Sequence, residues 1–212
     1  MSRYLFIVFL LFLSHLPTYS QDIDIELWLA AEVRKDLGDK FRLYYEQGYR
    51  RDEFLENIKA VNFEAGGFFK PAKFLWLGSY YRFSTNFSHF RKSRISGEII
   101  LRGDLNRFSI KSRSQYNAEF IKDEKTDHYA REKISLEYDI RKCKVDPFFA
   151  SEVIFHLQPT KSENEQVRFD LGAEWKIAKR HTIDFFYRYR IKRNVKNPLR
   201  SNIIGIDYVF DF

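Results

Sequence analysis

His156 and Glu152 are the side chains in this sequence best suited to acid–base chemistry. They stand four residues apart in a stretch of alternating character. In a strand both would leave the same face, and an imidazole beside a carboxylate can serve as a general base. A hydrolase would add a nucleophile, but no serine stands at a spacing that marks it as one, and no Gly-x-Ser-x-Gly occurs. His89 falls in a long polar stretch, His128 at a strand end and His181 in a short turn, positions where solvation is expected. Catalysis through His156 and Glu152 is therefore the minor reading and a non-enzymatic role the major one. No Cys or His cluster has metal-ligand spacing, and no glycine-rich loop is built for phosphate. Neither a metal nor another cofactor is expected. The single cysteine, Cys143, cannot form an intrachain disulfide and lies in a polar turn.

Charge offers a second chemistry. Arg42 and Glu46, Arg82, Arg113, Arg168 with Asp170 and Glu174, and Asp184 with Arg188 and Arg190 all share a parity opposite to their apolar neighbours. If that parity faces the inside of a barrel, these residues line a lumen and set its selectivity. The plainer reading is that a barrel of this size fills its interior with side chains, where charges persist by pairing. With 36 basic and 29 acidic residues in all, the chain is of mixed charge. It has no basic stripe with interleaved stacking aromatics, so no nucleic-acid partner is expected.

The elements that hold these residues are strands. Period-two alternation recurs over residues 22–34, 41–50, 58–70, 74–83, 94–102, 107–120, 128–140, 147–157, 166–177, 182–193 and 202–212, and no helical-period window interrupts it. The clearest is Val167 to Ile177, with apolar residues at odd positions and Arg168, Asp170, Glu174 and Lys176 at even ones. Odd residues there should meet lipid and even ones water, so arginine should be rejected at Leu171 and serine tolerated at Gly172. Segments of about ten residues suit the ~9–11 that a tilted strand needs to cross a membrane. Short connections alternate with longer polar ones, the asymmetry of an outer-membrane barrel with short periplasmic turns. Eleven segments are visible, yet single-chain bacterial barrels have even counts. The expected fold is therefore an all-β, antiparallel up-and-down transmembrane barrel of 10–12 strands, with twelve favoured.

Both ends agree with export to an outer membrane. Arg3, the apolar run Leu5 to Leu13 and the small residues around Thr18-Tyr19-Ser20 read as a cleaved signal peptide over residues 1–20. That run is far shorter than the ~20 residues of a spanning helix. Residues 21–212 then form one barrel domain. At the other end, Ile204, Ile206, Tyr208, Phe210 and Phe212 give one continuous apolar face. Tyr208, Phe210 and Phe212 read as the signal recognised by the barrel-assembly machinery, and outer-membrane lipids with lipopolysaccharide are the other expected partners. Aromatics at 18% in a chain of negative mean hydropathy fit apolar residues turned outward and charges turned inward.

Leu27-Trp28-Leu29-Ala30-Ala31-Glu32-Val33, Phe63 to Pro71, Gly78-Ser79-Tyr80-Tyr81-Arg82-Phe83, Phe185 to Arg190 and the closing Gly205 to Phe212 together resemble the uncharacterised outer-membrane barrel family called domain of unknown function 2490. The resemblance spans residues 21–212. It implies location and fold, and brings no activity or site residue with it. The function read from the sequence is an outer-membrane barrel, structural or enclosing a narrow pore with a charge-paired lumen. A lipid-modifying outer-membrane enzyme and a soluble secreted β-barrel or sandwich that binds a ligand are the alternatives.

Overall fold

The computed structural model of the protein describes residues 23–52, 54–86, 91–157, 166–193 and 200–212. The signal peptide expected over residues 1–20 lies outside them, as does His89. All regular structure among the described residues is strand: β1 (Ile23–Leu37), β2 (Phe41–Asp52), β3 (Asn57–Ala72), β4 (Leu75–Thr85), β5 (Arg91–Leu105), β6 (Phe108–Ile121), β7 (Asp127–Tyr138), β8 (Val145–His156), β9 (Gln166–Ala178), β10 (His181–Lys192) and β11 (Arg200–Asp211). Each matches a segment read from the sequence to within three residues at either end.

The strands form one closed barrel in chain order, each antiparallel to the next. Twelve strands do not form; there are eleven. An odd ring leaves its first and last strands running the same way, so β1 and β11 close it as a parallel pair from Ile23↔Arg200 to Arg34↔Asp211. Closure removes the open edge that an apolar terminal strand would otherwise present. The last residue joins the seam too, with the Phe212 amide donating to the Arg34 carbonyl at 2.7 Å.

Connections at one end of the barrel are short, residues 38–40, 73–74, 106–107, 139–144 and 179–180. Gly38 (φ 66°) and Asn106 (φ 58°) supply the left-handed conformations that the first and third of these turns need. Connections at the other end run from four residues (53–56) to nine (157–165), longer than all of these but 139–144.

Alternation becomes an inside and an outside. Leu171 (63% exposed), Ile134 (61%) and Ile204 (56%) face outward. The inward parity is mostly polar: Glu26, Asn117, Ser96, Asp146, Glu152 and Asp170 are each 3% exposed or less, with Ile203, Ile100 and Val209 among its apolar exceptions. This inverts a soluble protein, in which large apolar side chains are the buried ones.

Four inward glycines face aromatic rings on the next strand. Phe68 is opposite Gly78, Tyr80 opposite Gly66, Phe148 opposite Gly172, and Phe186 opposite Gly205. In each case the aromatic side chain occupies the space that a β-carbon on the glycine would need. The Phe68, Phe148 and Phe186 rings thus lie along the wall over their glycines, whereas at Gly66 the Tyr80 Cβ and backbone come close. The tolerance of serine expected at position 172 is overturned, because Phe148 and the Phe185 carbonyl fill that space.

Candidate functional site: the charged lumen

The lumen is a cavity of about 1780 Å³ bordered by side chains from all the strands. Among the described residues lining it, eighteen are Lys or Arg and thirteen are Asp or Glu, an excess of five positive charges. Arg42, Glu46, Arg82, Arg113, Arg168, Asp170, Glu174, Asp184 and Arg188 all border it, and Arg190 points inward just behind the surface. The structure therefore brings the ten side chains singled out by parity onto one inner face.

Those charges are organised around carboxylates set deep in the wall. Glu152 accepts from Arg113 (2.9 Å), Arg131 (2.8 Å) and Arg168 (3.0 Å). Asp170 accepts from Arg188 at 2.6 and 2.8 Å and from Lys133 at 3.1 Å. On the facing wall Glu64 takes the Tyr44 hydroxyl at 2.9 Å together with Arg82 and Arg94, and Arg82 reaches on to Glu46 at 3.2 Å. Glu26, fully buried, holds the Trp28 indole N–H (2.8 Å), Lys59 (2.9 Å) and Arg190. Buried carboxylates survive because each accepts several charge-assisted hydrogen bonds.

Reach matters as much as pairing. Arg113 to Glu152, Arg94 to Glu64, Arg82 to Glu46, Lys133 to Asp170 and Arg190 to Glu26 each span only two strands around the ring. No ion pair among the described residues crosses to the opposite wall. The networks hug the sheet and leave the middle open.

Two tryptophans add cation–π contacts to the lumen arginines and lysines. The Arg50 guanidinium lies 4.0 Å from the Trp28 ring centre, with Arg188 at 4.9 Å and Arg168 at 5.7 Å. Trp76, nearer the short turns, holds Arg102 (3.8 Å), Lys70 (4.4 Å) and Arg42 (5.2 Å). Arg50 makes no ion pair among the described residues, so its contact with Trp28 is a cation–π one.

Near the short-turn end the register sets Asp146, Glu174, Asp184 and Asp207 side by side on β8 to β11. Like charges directly opposite repel. Glu137, Asp146 and Glu174 also bring ligand oxygens within 4.8 Å of one another. Lys176, 2.6 Å from Asp146 and 3.4 Å from Glu174, supplies positive charge to that group.

The acid–base pair expected from the sequence does not form. His156 Nδ1 is 2.9 Å from Asp127 on the neighbouring strand, while Glu152 is enclosed by its three guanidiniums. An imidazole oriented by Asp127 at the lumen rim remains, without the partner assigned to it. His181, expected in solvent, is half-buried at the start of β10 and bonds the Tyr208 hydroxyl at 2.6 Å. Phe210 and Phe212 meet edge to face at 5.6 Å on the outer surface of β11. Sequence reading missed Glu26, Trp28 and Trp76 as lumen residues. Parity alone places Glu26 and Trp28 with Glu32, so that signal was present.

The family described as Protein of unknown function (DUF2490) matches residues 25–200. No curated protein sequence matches the chain. Among solved structures, the fold is similar to "KdgM porin", with 11% identity and a TM-score of 0.50, covering 87% of this chain and 97% of the porin. A second structure of the same kind, "KdgM porin in complex with disordered oligogalacturonate", has 12% identity and the same TM-score and coverage. At such identity the likeness is one of fold: a closed, porin-like β-barrel.

Proposed function

The chain belongs to the DUF2490 family, and we propose that it is an outer-membrane barrel enclosing a narrow water-filled pore. The observation that carries this reading is the wall-bound arrangement of the inner charges around an open lumen. A purely structural barrel would close its middle with cross-lumen pairs. Spread over the ~25 Å height of an outward apolar band, about 1780 Å³ gives a mean cross-section of roughly 70 Å². That suits small hydrated solutes. The apolar outer face supports residence in lipid over a soluble binding protein, since exposed Leu171, Ile134 and Ile204 would invite aggregation in water. The partners follow: membrane lipid around the barrel, lipopolysaccharide at the long-connection end, and the assembly machinery for β11. Arginines cover the carboxylates, so an anion is the solute class to test first.

Cell fractionation with heat-modifiable gel migration tests the location, and planar bilayers test the pore. Discrete conductance steps, altered by Arg113→Gln or Glu174→Gln, are expected. Folded, inserted protein that leaves the bilayer sealed would refute the pore and leave a structural barrel.

A further inference from the structure

Glu132 breaks the outward pattern. Among the described strand residues of outward parity it is the one acidic or basic side chain more than two residues from a strand end; Lys35, Arg51, Arg91 and Arg200 all lie nearer the ends. It is exposed, and five residues separate it from Asp127 at the nearer end of β7. That is roughly 16 Å along the strand, or about 12 Å parallel to the barrel axis at the usual ~35–45° tilt, beyond the reach of a glutamate side chain to the strand end. On the reading of this chain as a membrane barrel, its carboxylate faces hydrocarbon.

Three serines stand among its neighbours, beside Val153 directly opposite on β8 and Tyr116 and Phe155 at the other diagonals. Ser114 stands directly opposite Glu132 and donates its hydroxyl to the carboxylate at 2.7 Å. Ser112 and Ser151 are the diagonal neighbours on β6 and β8. Every outward residue of the adjoining β9, from Val167 to Ile177, is apolar by contrast. Polar groups at membrane depth serve as association points, and small side chains let two backbones approach closely. Serine hydroxyls both donate and accept, whereas the carboxylate accepts only. A patch holding both is complementary to a copy of itself turned through a two-fold axis.

We propose that Glu132, Ser112, Ser114 and Ser151 form the contact through which two copies of this chain associate in the membrane, Ser112 and Ser151 of each copy donating to the Glu132 carboxylate of the other while Ser114 holds the carboxylate of its own chain. The proposal rests on residence in the membrane, so the test reads insertion and association separately. Sedimentation of the detergent-solubilised full chain should give a protein mass of two chains. Glu132→Leu should insert as well as or better than the parent, yet associate at least tenfold more weakly. In a Cys143→Ser background, a short bis-maleimide should cross-link Ser114→Cys into dimers in membranes and leave Leu29→Cys, on the opposite wall, uncross-linked. A parent that inserts but sediments as a monomer, or a Glu132→Leu dimer as tight as the parent's, overturns the proposal while sparing the barrel. Failure of the parent to insert overturns both.

Discussion

Gly172 lies opposite Phe148, and the Phe148 ring fills the space a β-carbon at position 172 would take. Gly172→Ser should therefore destabilise the barrel by about 1–3 kcal/mol, the usual range for overpacking. A lowered urea midpoint by tryptophan fluorescence is the measurement. The double change Gly172→Ala with Phe148→Leu should recover part of the loss, and an unaltered midpoint in Gly172→Ser would show that the ring moves aside freely.

Face assignment can be read along one strand. Leu171 is 63% exposed on the outer face, and arginine there costs roughly 2–4 kcal/mol near the membrane midplane. Leu171→Arg should abolish insertion, seen as loss of the heat-modifiable band. In a Cys143→Ser background, cysteines at Phe169, Leu171 and Ala173 should resist a water-soluble maleimide, while some at Arg168, Asp170 and Glu174 react. Labelling without a period of two would remove the lipid-facing assignment.

Glu152 is the common acceptor of Arg113, Arg131 and Arg168. Its removal as Glu152→Ala leaves three guanidiniums facing one another, and breaking a buried pair costs about 3–5 kcal/mol. Arg113→Ala should cost less, because two arginines still neutralise the carboxylate. Equilibrium unfolding of the two variants side by side should show that order; the reverse order would deny Glu152 its central place.

Phe212 closes the seam through its amide to Arg34, and its ring lies 4.6 Å from the Lys35 ammonium. Deleting Phe212 should lower the yield of folded protein in membranes several-fold more than deleting Lys125 from the connection between β6 and β7. Equal yields would remove the assembly role from this residue.

The faces of the strands were legible because a side-chain period of two needs no knowledge of partners. Val167 to Ile177 shows lipid and lumen by itself, and the apolar parity of β11 does the same. Pairing was not legible, since it depends on register and on the stagger between strands. Glu152 draws Arg113 from 39 positions away and Arg131 from 21, separations that no local pattern encodes. For the same reason His156 was matched with Glu152 on its own strand when its neighbour is Asp127 on the next. Eleven strands fall within the expected 10–12, and only the preference for twelve fails, for another reason. Eleven segments were visible, and an even-number rule was preferred to the count. Nor does a glycine reveal that an aromatic ring will cover it.

The parallel seam has a kinetic consequence. Every other ladder joins strands that follow one another in the chain, and a connection of nine residues or fewer holds the two strands of each pair together. Ile23↔Arg200 joins residues 177 positions apart in sequence, so the entropy of loop closure is largest there and no turn offsets it. The ten hairpin pairings can zip in succession as a growing curved sheet, whose two outermost strands find each other last. A slow final step is expected in refolding, and deleting Phe212, whose amide bonds the Arg34 carbonyl across the seam, should slow that step and leave the earlier ones unchanged.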